Sequence, residues 1–127
     1  MIKGLGTDLC PAARWVHLVD RFGEKPIRRI LSPEEAEYLL KGNRQRLPER
    51  LAGRWALREA FGKALGVGLD GWSWKELRFR DGRLWVEGEL AAKLLQRGIT
   101  HLHGSISHDS GMAFAVVILE GKSTCHD

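Results

Sequence analysis

The chain has 127 residues and a formal net charge of +4, with 43% hydrophobic and 28% charged residues, which fits one globular domain able to bury a core without staples. No apolar run approaches the roughly 20 residues that span a bilayer and no charged-then-apolar leader opens the sequence, so no membrane association is expected and a cytoplasmic location is. Cys10 and Cys125 lie near opposite ends with no Cys/His ligand spacing, which argues against zinc and for idle thiols in a reducing compartment, while the basic balance asks for an anionic partner without naming it.

In chain order, Ile2 to Gly6 reads as a short strand ending in glycine, with Asp8 just past its end. Ala12 to Gly23 sets Trp15, Leu18, Val19 and Phe22 on one helical face and leaves Arg14 and Arg21 on the wetter side, with Gly23 as the stop. Ser32-Pro33-Glu34-Glu35 carries a serine cap, a first-turn proline and a capping-box glutamate, so a helix is predicted to about Lys41, ended by Gly42-Asn43. Basic residues Lys41, Arg44, Arg46 and Arg50 gather around the following loop. A long helix is predicted from Pro48 to Leu65, closed by Gly66-Val67-Gly68 and followed by a loop with Asp70-Gly71.

The segment Leu77 to Glu87 alternates apolar and polar around Asp81-Gly82, a β-hairpin pattern. Glu89 to Gln96 is a short helix stopped by Gly98, and strands Thr100 to Ser107 and Met112 to Glu120 follow, joined by a turn at His108-Asp109-Ser110-Gly111. The last strand, apolar on both faces from Ala113 to Leu119, is expected to be central or covered. The predicted architecture is α+β: a single domain over residues 1–120 with a mainly antiparallel sheet packed against a long helix, then a polar tail over 121–127.

Around the long helix, steps of about 100° put Gly53, Leu57, Ala60, Phe61 and Ala64 on a core face. Ala52, Ala56, Glu59 and Lys63 fall on the other side, so a carboxylate and an ammonium rise from small residues. With Asp8 after Gly4-Leu5-Gly6-Thr7, this suits a divalent cation holding a phosphate ester. Plainer readings stand beside it: Glu59 and Lys63 as an i,i+4 surface pair, Asp8 as a turn residue. On the strand before the last turn, Leu102 and Ile106 point one way and His101, His103, Ser105 and Ser107 the other, leading to His108. That end suits phosphate, or His108 is a turn residue.

At these residues the chain resembles the holo-acyl-carrier-protein synthases, the small single-unit type of phosphopantetheinyl transferase. The resemblance rests on Gly4-Leu5-Gly6-Thr7-Asp8 with Arg14 after it, on the run from Leu51 to Gly68 containing Arg54-Trp55-Ala56-Leu57-Arg58-Glu59-Ala60-Phe61-Gly62-Lys63, and on Ser105-Ile106-Ser107-His108. It implies transfer of the phosphopantetheine arm of coenzyme A to a serine of apo acyl carrier protein, releasing adenosine 3′,5′-bisphosphate, in support of fatty acid biosynthesis. Asp8 and Glu59 would bind magnesium, Lys63 would contact phosphate, and Glu59, directly or through a magnesium-bound water, would take the serine proton. By the same resemblance Arg54, Lys63, Gly66, Ser107 and His108 are expected near the nucleotide and its phosphates. Arg14 and Arg21 form a cationic stripe for the acidic carrier, with a solvated helix face as the alternative.

The resemblance also implies a homotrimer whose interfacial sites take Asp8, Glu59 and Lys63 from one subunit and the Ser107-His108 strand end from its neighbour. Arg58 stands where relatives usually have lysine, Gly62 where they often have serine, and Pro11-Ala12 is unusual after the aspartate. Two other classes fit the basic charge, a nucleic-acid-binding module and a carrier-binding domain without activity. The sequence has no helix-turn-helix or RRM signature for the first, and the retained Asp8, Glu59 and Lys63 argue against the second; no nucleic-acid partner is expected.

Overall fold

The protein is described here by a computed structural model covering residues 1–66 and 73–122. Its elements run β1 (Ile2–Pro11), α1 (Ala12–Phe22), α2 (Lys25–Ile30), α3 (Pro33–Leu40), a 3₁₀ turn (Arg44–Arg46), α4 (Leu47–Leu65), a 3₁₀ turn (Trp74–Glu76), β2 (Leu77–Arg80), β3 (Arg83–Val86), α5 (Gly88–Gln96), β4 (Ile99–Asp109) and β5 (Met112–Gly121). The expected Asp70-Gly71 loop, Val67, Gly68, Cys125 and the tail from 123 lie outside the described residues.

Three strands form an antiparallel sheet in the order β1-β5-β4. The apolar β5 takes the central position that its two apolar faces require, as expected. β2 and β3 make the predicted hairpin as a separate two-stranded sheet, turning at Asp81 (φ 53°) and Gly82 (φ 75°), the left-handed pair of a type I′ turn. β4 and β5 turn in the same way at Ser110 (φ 52°) and Gly111 (φ 76°). The expected turn at His108–Gly111 is therefore shorter, and His108 and Asp109 belong to β4, paired with Ala113 and Met112.

The larger correction is at β1. The strand does not end at Gly6 but continues to Pro11, with Asp8 paired to Ala115 in mid-strand. Local propensity read glycine and aspartate as strand-breaking, yet pairing along the whole of β5 overrides it. Asp8 is thus not a turn residue.

Register sorts the sheet into two faces. Toward α4 lie the rows Gly4–Leu119–Leu102, Gly6–Val117–Gly104, Asp8–Ala115–Ile106 and Cys10–Ala113–His108. Away from it lie Leu5–Ile118–His103, Thr7–Val116–Ser105 and Leu9–Phe114–Ser107. This second face is open and apolar at its centre, with Leu5 62%, Leu9 57% and Phe114 41% exposed.

α4, about 29 Å long by its 19 residues, lies between the sheet and the shorter helices and is buried nearly all round. Ala52 and Ala56, read from the sequence as an open floor, are fully buried with Ala60. That reading fails because the alanines are packed beneath neighbouring elements, and between Leu51 and Lys63 exposure is left to Trp55, Glu59, Gly62 and Lys63. Phe22 is corrected in the opposite sense: it was placed on the core face of α1 but is 51% exposed, while Trp15 is buried at 3%. The short α2 escaped the sequence reading; Pro26 stands in its first turn, where a missing N–H costs nothing.

Ser32 caps α3 by accepting the Glu35 amide at 3.2 Å. The reciprocal half of the capping box is not made. Instead the Glu35 carboxylate accepts from Arg58 Nη2 (3.1 Å) and from the Phe79 amide (3.3 Å). Arg58, wholly buried, also donates to the carbonyls of Ile30, Trp74, Arg54 and Leu77 at 2.7–3.2 Å. One guanidinium therefore ties α2, α3 and β2 to the middle of α4.

Candidate active site

Glycines in β1 create the site by omission. A Cβ on Gly4 would overlap the Ala64 carbonyl, and one on Gly6 would overlap the Ala60 carbonyl and crowd the Ala64 amide. The strand can therefore touch the helix backbone. Two residues of strand span nearly the same length as four of helix, so the next step along β1 sets Asp8 beside the turn of α4 that carries Glu59.

Lys63 Nζ donates to Asp8 Oδ1 at 2.9 Å and to the Thr7 carbonyl at 3.0 Å. The local i,i+4 pair with Glu59 is not made, and among the described residues Glu59 has no hydrogen-bonding or ionic partner. Lys63 reaches instead across to β1, which lies against α4 at Ala60 and Ala64. With Glu59 one turn earlier on α4, the set has two carboxylates to one ammonium and is net negative. The Asp8 side chain is only 20% exposed, Lys63 57%.

That donor set fits magnesium. Among the described residues no group of three or more His, Cys, Asp or Glu side chains is placed to hold a metal ion, which disfavours a closed all-protein site. Magnesium commonly takes one or two carboxylates and completes its shell with water and substrate phosphate.

The remaining candidates separate into three places. His108 lies on the α4 side of the sheet, its Nε2–H donating to the Glu49 carbonyl at 2.9 Å, with Gly53 leaving room for the ring. Ser107 points to the open face. The polar strand face of His103, Ser105 and Ser107 is therefore as expected, but His108 does not share it. Asp8 and His108 are separated by two strand spacings and one row, about 12 Å between Cα atoms.

Arg54 is buried at 9% exposure, with its guanidinium 5.4 Å from the Phe79 ring centroid and its Nε unpartnered. Burial lowers its pKa, opposed by the Glu35 carboxylate. Gly66 ends α4 with φ 80°.

Arg14 turns back over β1, Nη1 donating to Cys10 Sγ at 3.9 Å. Cys10 is fully buried, and that burial pushes its thiol pKa up. Arg21 stacks on Phe22 at 5.3 Å. Arg14 borders a groove of about 510 Å³ with Trp15, Leu18, Phe22 and Trp55 as apolar walls and Lys25 and Arg29 as further cations, which Arg21 does not line. Sequence reasoning found Arg14 and Arg21 but missed this groove, because Trp55 comes to it from another helix.

The fold is a small α+β domain whose glycine strand lies against a long buried helix, and comparison with known proteins gives its class, the phosphopantetheinyl transferases. A family model of the 4′-phosphopantetheinyl transferase superfamily matches residues 4–117, and the chain belongs to that family. It is similar to the holo-[acyl-carrier-protein] synthase of Trichlorobacter lovleyi, 36% identical over 126 residues and covering 94% of this chain and 98% of the relative. Among solved structures it is similar to the synthase of Neisseria meningitidis (TM-score 0.84, 31% identity, 94% and 99% coverage). It is also similar to the ACPS–CoA complex of Chronobacterium ammoniagenes (TM-score 0.76, 30% identity, 94% and 98% coverage). Its activity is holo-[acyl-carrier-protein] synthase activity, the transfer of 4′-phosphopantetheine from coenzyme A to a serine of apo acyl carrier protein. The nucleic-acid and inactive-domain readings are not favoured.

Proposed function

We propose that Asp8, Glu59 and Lys63 are the catalytic centre for this transfer, that it depends on magnesium, and that it serves fatty acid biosynthesis in the cytoplasm. The contact of Lys63 with Asp8, one turn from the unpaired Glu59, carries the reading. The carrier serine Oγ attacks the phosphorus bearing the pantetheine arm, the P–O bond toward the adenosine side breaks, and adenosine 3′,5′-bisphosphate departs. Glu59 takes the hydroxyl proton. Asp8 and Glu59 would hold magnesium, which supplies charge neutralisation at the pyrophosphate oxygens. Lys63, released from Asp8, stabilises the departing phosphate.

The nucleotide end is assigned to Arg54, Gly66, Ser107 and His108. Arg54 brings a buried guanidinium with an open donor, which an anion would satisfy. The chain acts as a homotrimer through the open sheet face, where Leu5, Leu9 and Phe114 are too exposed for an isolated subunit. The Ser107-His108 strand end then serves a neighbour's site, in keeping with its distance from Asp8. The groove along α1 receives the carrier, Arg14 and Arg21 meeting acidic side chains and the tryptophans an apolar helix face. No helix among the described residues is long and apolar enough to cross a membrane.

Apo carrier protein incubated with the chain, coenzyme A and magnesium should gain the mass of phosphopantetheine on serine. The gain should vanish with a chelator and in Glu59→Ala. Near-normal turnover of Glu59→Ala would overturn the assignment.

A further inference from the structure

The open face of the sheet ends in a polar patch that the transfer reaction does not use. One step beyond the row Leu5–Ile118–His103, at the end farthest from Leu9 and Phe114, His101 of β4 pairs with Glu120 of β5 on the same face. Of the histidines among the described residues, only His101 and His103 share a face of one element; His108 lies on the α4 side and His17 on α1. Same-face neighbours on a strand are about 6.7 Å apart, so the two imidazoles stand side by side. A register shift between Ile99 and His101 marks a bulge at Thr100, a feature that re-aims the side chains next to it.

The hydrogen bonds of these rings leave one nitrogen of each open. His103 Nε2 donates to Glu120 Oε1 at 2.9 Å. A carboxylate only accepts, so Nε2 carries the hydrogen and Nδ1 of the neutral ring keeps its lone pair. His101 Nδ1 meets Thr100 Oγ1 at 3.0 Å, and among the described residues its Nε2 has no partner. With Nδ1–H given to the hydroxyl, Nε2 is the lone-pair atom. An imidazole that ligates a metal commonly has its other nitrogen held by a carboxylate or similar oxygen, which fixes the tautomer and the ring. The side chains of His103 and Glu120 are 56% and 47% exposed, so an ion reaches them without any opening of the core.

We propose that His101 and His103 form a binding site for a transition-metal cation of the zinc, nickel and copper class, with Glu120 as the group that orients His103. Two protein ligands make an open site completed by water, in keeping with the finding that no group of three such side chains is placed to hold an ion among the described residues. Imidazole nitrogen suits this class of cation, whereas carboxylate and water suit magnesium. The site is therefore distinct in chemistry from the carboxylates of the transfer centre. It is distinct in place as well, since Asp8 lies on the opposite face of the sheet.

Isothermal titration of the full chain with zinc chloride, in excess magnesium to occupy the carboxylates of the transfer centre, tests this without turnover. One zinc per chain is expected in the parent. Glu120→Gln should weaken binding about 10–100-fold through loss of the orienting carboxylate, and His101→Asn and His103→Asn, which each remove a ligand, should weaken it further. Asp8→Asn should leave it unchanged. No zinc binding to the parent overturns the proposal, and so does binding that both histidine variants leave intact. Loss of binding in Asp8→Asn would put the ion at the transfer centre and overturn it equally, while parental affinity in Glu120→Gln would refute the orienting role. Each readout is cation binding and not transfer, so the result stands apart from the fate of the catalytic assignment.

Discussion

Replacing Arg58 with methionine keeps much of the side-chain volume and removes all five of its hydrogen bonds. The carboxylate of Glu35, whose side chain is 7% exposed, would keep only the Phe79 amide. Removing one partner of a buried pair costs about 3–5 kcal/mol, because the other charge is left desolvated. That is a large share of the roughly 5–15 kcal/mol that holds a domain together. The urea midpoint should fall by about 2–3 M at an ordinary slope for this size. The comparison must be made at one protein concentration, since association would add to apparent stability.

A second variant separates the charge from the packing. In Arg58→Met/Glu35→Met no charge is stranded, so the double variant should recover at least about 1 kcal/mol relative to Arg58→Met alone. It will not regain parental stability, because the carbonyls of Ile30, Trp74 and Leu77 still lose their donor. A single Arg58→Met variant within about 1 kcal/mol of the parent would refute the strut. So would a double variant whose loss equals the sum of the two single losses, for the pair would then carry no coupling.

Gly6→Ala forces a methyl into the α4 backbone; a loss of about 1–3 kcal/mol is expected from overpacking, with a fall in kcat as Asp8 is pushed from Lys63, and unchanged kinetics would contradict the role given to this contact. Arg14→Glu should raise the KM for carrier protein and leave that for coenzyme A unchanged, whereas equal changes would remove Arg14 from carrier docking. Phe114→Lys places a charge on the open sheet face at 41% exposure; sedimentation should show monomers with little turnover, and an intact trimer would exclude that face as the interface.

Most of the fold is visible in the sequence because it is local. The Asp81-Gly82 turn, the Ser32 cap and the apolar run of β5 each carry their signal within a few residues. What stayed hidden depends on contacts between distant segments. Arg58 and Glu35 are 23 residues apart, and nothing near either names the other. Glu35 already had a local use as a capping-box residue, and that reading concealed the strut. Trp55 and Phe22 come from different helices, so the groove between them has no sequence period.

The site shows the same division in one motif. Gly4 and Gly6 invite a reading as a phosphate-binding loop, and Asp8 after them as its carboxylate. In the fold the glycines let β1 lie against the backbone of α4 at Ala60 and Ala64. That contact fixes the strand's register on the helix, and the register delivers Asp8 to Lys63 across 55 residues of sequence. Glycine and aspartate are thus coupled by packing, one supplying the close approach that the other needs in order to reach Lys63. A side chain at Gly6 would move Asp8 away from Lys63 without changing either residue.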